Sequence, residues 1–270
     1  MDNRDKKIYI PTDYLNFEDK KTLSILIDLN YWKNSDNLVN ITLDKIIKDC
    51  GYAPKTGKGK SNEKFKTSLC FLQEKNIIEC EYDLKKIKLK QMITIKLEPY
   101  SKERSNIMIY YSAYKKIMED NVKSNMKDNM LLIYLLIKKG IGAKNTYGKE
   151  IKYKMITNKT LMKKSNTSKD TLNGCIKEIS GLGLLCYDNI GYIIKNDKCK
   201  KAVNVYALDY EGLDIGLKAS KKYYEEKGYK FETRENKKRK LEIIYEDLEE
   251  EELSLHDKQM IEIMELMGWN

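Results

Sequence analysis

The 270-residue sequence predicts an α+β chain: two tandem copies of a helix–helix–helix–hairpin unit, followed by a charged helical tail. Three observations lead there. Apolar residues recur at helical spacing in two sets of three segments, each set followed by alternating, strand-like segments. The two sets register on one another at a fixed offset. Charge also breaks near the end: residues 1–240 carry 50 basic and 31 acidic side chains, residues 241–270 one basic and ten acidic.

A first helix is expected over Phe17–Tyr31, where Leu23, Leu26, Ile27 and Tyr31 share a face and Lys20, Lys21 and Asp28 lie off it. Thr42 is the expected N-cap of a short second helix carrying Leu43, Ile46 and Ile47, ended by Gly51. After a Gly/Lys-rich loop, Lys55–Lys60, a third helix runs from about Asn62 to Lys75, with Ser61 as N-cap and Phe65, Leu69 and Leu72 as its apolar stripe. Ile77–Tyr82 alternates like a strand, and Ile87, Leu89, Ile93, Ile95 and Leu97 suggest more strand, interleaved with Lys85, Lys86, Lys88 and Lys90. Pro99–Ser105 is polar and reads as a linker, so the first domain is drawn at 1–100 and the second at 101–210.

The order then repeats. Met130–Ile137 is an apolar helix stopped by Gly140 and Gly142, and Thr160–Lys164 a short one carrying Leu161 and Met162. After the turn Asn166-Thr167-Ser168, a helix from Lys169 to about Leu182 carries Leu172, Ile176 and Ile179. Leu184–Asp188 and Tyr192–Lys195 are expected to pair as a hairpin around Asn189-Ile190-Gly191. An offset of 107 maps Ser61 onto Ser168, Phe65 onto Leu172, Leu69 onto Ile176, Leu72 onto Ile179 and Ile77-Ile78 onto Leu184-Leu185. Cap, stripe and strand start coincide without gaps, which argues for an internal duplication.

Residues 211–270 form the tail. Its basic part, with Arg234-x-x-Lys237-Lys238-Arg239-Lys240, is either a contact for a polyanion such as DNA or a solvated helix. An acidic run, Glu246–Glu252, leads to a terminal segment with Met260, Ile261, Met264 and Met267 at helical spacing. That face suits docking into a partner's groove, or packing on the chain's own body.

Much chemistry is excluded. The single histidine, His256, lies in the acidic tail, which removes Ser-His-Asp hydrolysis and paired-His metal sites. Cys50, Cys70, Cys80, Cys175, Cys186 and Cys199 form no C-x-x-C, so no zinc site is expected. Gly57-Lys58-Gly59-Lys60-Ser61 resembles the end of a phosphate-binding loop, but Pro54 occupies the position of that motif's first glycine. No catalytic residue, metal or cofactor is expected. With no long apolar run and a polar N-terminus, a cytoplasmic location away from membranes is expected.

The net charge of +10 points to a polyanionic partner, although only four Arg accompany the Lys, a pattern that AT-rich coding alone produces. The element order is that of a winged helix-turn-helix. In such a unit the third helix turns one polar face outward, toward a DNA major groove. The residues expected to meet double-stranded DNA are Ser61, Asn62, Lys64, Lys66 and Thr67 on the first such face and Ser168, Lys169, Thr171, Asn173 and Lys177 on the second. Lys85, Lys86, Lys88 and Asn189 follow on the hairpins.

The run Leu161-Met162-x-x-Ser165-Asn166-Thr167-Ser168-x-x-Thr171-Leu172, then Ile179-x-x-Leu182-Gly183-Leu184-Leu185, resembles the winged-helix signature of low-GC Gram-positive replication and regulatory proteins. Two such units with a tail resemble plasmid replication initiators and phage replisome organisers. That resemblance implies origin binding, with a replicative helicase or its loader recruited through the tail, and a possible dimer. A transcriptional regulator with the same domains, or a protein-only scaffold, remains open on the sequence.

Overall fold

The computed structural model describes residues 6–99, 105–143, 148–196 and 198–232. Among them the chain is mixed α+β, with eight helices and eleven short strands. In order these are β1 (Lys7–Pro11), α1 (Lys21–Trp32), β2 (Leu38–Thr42), α2 (Leu43–Asp49), α3 (Ser61–Glu74), β3 (Ile78–Cys80) and β4 (Met92–Leu97). Then come β5 (Asn106–Tyr110), α4 (Tyr111–Glu119), α5 (Ser124–Lys138), β6 (Tyr153–Met155), α6 (Asn158–Ser165), α7 (Lys169–Gly181) and β7 (Cys186–Asp188). The last are β8 (Tyr192–Lys195), β9 (Lys198–Lys201), β10 (Val205–Ala207), α8 (Tyr210–Glu226) and β11 (Lys230–Glu232).

The compact parts are two. The larger comprises residues up to Asp188 together with Val203–Ala219. Within it the same series occurs twice. The first is α1–β2–α2–α3–β3–β4, with its antiparallel sheet in the order β2-β4-β3. The second is α5–β6–α6–α7–β7–β10, with its antiparallel sheet in the order β6-β10-β7. In both, the last strand sits between the other two. The stripes Phe65/Leu69/Leu72 and Leu172/Ile176/Ile179 are all 2% exposed or less. At roughly 1.5–3 kcal/mol per fully buried large apolar side chain, each stripe anchors its helix firmly.

Both series feed one continuous core. It runs from Ile8 and Ile10 through α1 and α3 to α5, α7 and Leu185. β1 pairs with β5, matching Ile8 to Ile109 and Ile10 to Ile107, so the start of one series is tied to the start of the other. Polar groups are sealed between them. Tyr52 donates its hydroxyl hydrogen to Asp128, which also lies 3.4 Å from the Lys21 amine. Tyr111 donates to Asp28 at 3.1 Å. Gly51 closes α2 at φ +75°, and a Cβ there would fall 2.4 Å from the Met118 carbonyl oxygen, so only glycine permits this approach.

The smaller unit contains residues 189–202 and 220 onward. Its antiparallel sheet has the order β11-β8-β9, with Ile193 fully buried and Tyr224 6% exposed.

Three expectations are corrected. β7 and β8 do not pair as a hairpin around Asn189–Gly191; β7 pairs with β10, and β8 with β9 and β11. The reason is burial: Val205, Tyr206 and Ala207 are entirely buried and take the central position that satisfies strands on both sides. Ile87 lies in irregular chain and Leu89 in a turn, and the strand begins only at Met92. Ile87 is still buried, and the Leu89 carbonyl accepts from the Asp44 backbone N–H at 2.9 Å, so this connection folds back onto the start of α2. Ser61 is not an N-cap; Lys60 holds that position, and Ser61 is the first helical residue. The Met260, Ile261, Met264 and Met267 face, the acidic run and the Arg234–Lys240 segment lie outside the described residues.

Candidate nucleic-acid interface

In the second series the outward helix is built as its sequence suggests. Ser168 takes an extended conformation and accepts from the Thr171 N–H at 3.2 Å, capping α7. That satisfies one of the free N–H groups at the helix start and contributes about 1 kcal/mol. The Ser168 hydroxyl also donates to the Thr171 hydroxyl at 3.0 Å. With Leu172, Cys175, Ile176 and Ile179 buried, Lys169, Asn173 and Lys177 form an exposed row at four-residue spacing. Neither lysine has an ion pair among the described residues, so both amines are free to meet an anion.

In the first series the face is divided. The Ser61 hydroxyl accepts from the Lys55 N–H at 2.8 Å and donates to the Ala53 carbonyl at 2.6 Å. The Asn62 Oδ1 accepts from the same Lys55 N–H at 2.9 Å. These two residues fasten the Lys55–Lys60 loop, while Glu63 accepts from the Gly59 N–H and closes it. The Thr67 hydroxyl donates to the Glu63 carbonyl at 3.0 Å. Lys66 is half-buried, and its amine donates to the Lys85 carbonyl at 3.3 Å, tying α3 to the β3–β4 connection. Lys64 is exposed and unpaired among the described residues.

That connection places Lys85, Lys86 and Lys88 in solvent. Lys86 pairs with Asp83 at 3.3 Å between two exposed side chains, a contact worth little. The Asp83 carboxyl, held by the Lys85 backbone N–H first and Lys86 second, stays below the ordinary carboxylate range. Lys85 and Lys88 are left without ion pairs among the described residues.

In the smaller unit, Asn189 Oδ1 accepts from the Gly191 N–H at 3.0 Å and shapes the entry to β8. A basic cluster in this unit is absent from the sequence-based site. Lys195, Lys198, Lys200, Asn196 and Tyr229 surround a hollow of about 310 Å³. The Lys195 and Lys200 amines lie 5.4 and 4.9 Å from the Tyr229 ring centre. The signal was legible as Lys195-x-x-Lys198-x-Lys200-Lys201, four lysines in seven residues; the expected β7–β8 hairpin hid it.

The chain matches no protein-family model, curated protein or solved structure. The assignment of function therefore rests on these side chains. Among the described residues, no three His, Cys, Asp or Glu side chains cluster to hold a metal ion. No described helix is long and apolar enough to cross a membrane.

Proposed function

We propose that the chain is a non-catalytic, sequence-specific double-stranded DNA-binding protein with two tandem winged helix-turn-helix domains. It acts as a replication initiator that binds its origin and recruits replication proteins through its C-terminal tail. The observation that carries this reading is the repeated series of elements, with a lysine-bearing third helix turned outward each time. α7 offers Lys169, Asn173 and Lys177; α3 offers Lys64 and Thr67. Asparagine and lysine side chains suit base edges in a major groove, and the Ser168-capped start of α7 suits a phosphate. The Lys85, Lys86 and Lys88 turn then meets the flanking backbone. The recruiting role belongs to Met260, Ile261, Met264 and Met267.

Footprinting the protein on the DNA around its own gene tests the reading. A protected set of iterated repeats supports origin binding; protection confined to a promoter favours a regulator. On the protected site, Lys64→Ala and Lys177→Ala weaken binding without lowering the melting temperature, because neither residue belongs to an apolar stripe. For a lysine that meets a phosphate, its removal lowers the slope of log affinity against log salt by about 1. Wild-type affinity and salt slope in both variants would remove α3 and α7 from the interface.

A further inference from the structure

The smaller unit carries its own concentration of positive charge. Its residues 189–202 and 220–232 include eight lysines and four acidic side chains. That charge is gathered on one part of its sheet. β8 and β9 pair with Lys195 opposite Lys198 and Ile193 opposite Lys200. Directly opposed residues share a face of a sheet, as do residues two apart on one strand. Lys195, Lys198 and Lys200 therefore lie on the face that carries Ile193. Ile193 is fully buried and the three lysines are exposed, so the apolar cover of this face ends where the lysines begin.

Like charges directly opposite one another destabilise a strand pair. Lys195 and Lys198 stand in that arrangement. Among the described residues no carboxylate lines the hollow they share with Asn196, Lys200 and Tyr229, and none of the three amines has an ion pair. The Lys195 amine donates to the Lys227 carbonyl at 2.7 Å, which fixes its position without cancelling its charge. The turn after α8, with Gly228 at φ +75°, brings Tyr229 to the hollow. Its hydrogen bond to Lys200 is the first cause of a raised Lys200 pKa, so that amine is held in its charged form. With two amines drawn toward its ring, Tyr229 serves the lysines and is not a free platform for a stacked base.

We infer that Lys195, Lys198 and Lys200 form a second nucleic-acid site, which holds the phosphodiester backbone of duplex DNA. Successive phosphates place negative charge between amines that otherwise repel one another. The contact is to phosphates and not to base edges, so it carries no sequence preference and adds salt-dependent affinity to any duplex. The site goes beyond the winged-helix reading, because it uses no residue of α3, α7 or the Lys85–Lys88 turn. It stands or falls without them.

The test is fluorescence anisotropy of a short duplex of unrelated sequence, titrated with the full-length protein between about 50 and 200 mM salt. Replacing both exposed lysines of β9, Lys198→Gln with Lys200→Gln, should lower the slope of log affinity against log salt by about 2. The loss should be the same when Lys64→Ala and Lys177→Ala are also present, which separates this site from α3 and α7. Lys48→Gln with Lys218→Gln removes the same net charge from ion-paired lysines elsewhere and should leave the slope nearly unchanged. In the wild-type protein the Lys198 and Lys200 side-chain NMR signals should shift on adding the duplex, a readout that holds even if the variant folds poorly. A wild-type slope in the β9 variant, or an equal loss in the control, overturns the inference. So do Lys198 and Lys200 signals that stay still with the duplex, whether they move with inorganic phosphate at matched ionic strength or on neutralising Glu249–Glu252 to Gln. The first result would make the hollow a site for a free ion, and the second a seat for the chain's own acidic run.

Discussion

At the residue scale, Asp28 is a costly side chain to bury. It is fully buried on α1; one carboxylate oxygen accepts from Tyr111, and the other has no partner. Burial first, and Asp49 second, push its pKa up to about 7, against the pull of Tyr111, Lys45 and Lys115. The native state therefore holds a proton that the unfolded chain releases near pH 4. Between those values the native state binds more protons, so stability falls as pH rises from about 4 to about 7. The full swing from this one group is on the order of 4 kcal/mol. Asp128, also raised by burial, acts in the same direction. Urea unfolding at pH 5 and pH 8 should show the wild-type protein weaker at pH 8. Asp28→Asn, which stays neutral throughout, should show a clearly smaller difference. An undiminished difference in the variant would mean that Asp28 is ionised in the native state.

At the element scale, helix α8 depends on two close approaches. A Cβ on Gly216 would fall 2.4 Å from Val205 Cγ1 and 2.7 Å from Tyr153 Cγ; one on Gly212 would fall 2.6 Å from the Lys152 carbonyl oxygen. Gly216→Ala is thus overpacking against a sheet rather than a helix-propensity gain, and should cost about 1–3 kcal/mol. Ala219→Gly, on the same helix and half-buried, is the control for propensity alone, at about 1 kcal/mol. Thermal melting of the two variants separates these contributions.

The same scale shows how much was legible in the sequence. Thr42, Ser168 and the three-residue stripes were readable because a cap and its helix lie within a few residues of each other. Ser61 has the same chemistry as Ser168 but sits beside a loop whose Lys55 N–H needs an acceptor, and its hydroxyl goes there instead. Of the candidate DNA-facing residues, the α7 row stands clear as read. Lys66 is drawn under the β3–β4 connection, which no spacing within α3 reveals. β1 and β5 each alternate buried and more exposed residues, but their pairing spans about a hundred residues and rests on a shared core. The exchange of hairpin partners at β7 has the same origin, since burial of β10 decides it.

At the scale of the whole molecule, the shared core makes the two series one folding unit. α1 packs on both α3 and α5, and the carboxylates Asp28 and Asp128 are each held by a hydroxyl from the other half of the chain. Splitting the chain between them would expose Leu, Ile and Tyr side chains now sealed, and release those carboxylates from their donors. The larger unit is thus expected to unfold in a single step. Native-state hydrogen exchange should find the slowest amides of α1, α3, α5 and α7 opening with one common free energy. A chain cut after Glu98 would keep α3 and its stripe but lose α4, α5 and β5, so α1 would be left with an uncovered apolar face and β1 without its partner. That fragment should show no cooperative thermal transition. A fragment that melted sharply with native-like helix content would instead establish the first series as an independent domain. The second series would then be a separate module, and the buried Tyr52–Asp128 and Tyr111–Asp28 contacts an interface between them.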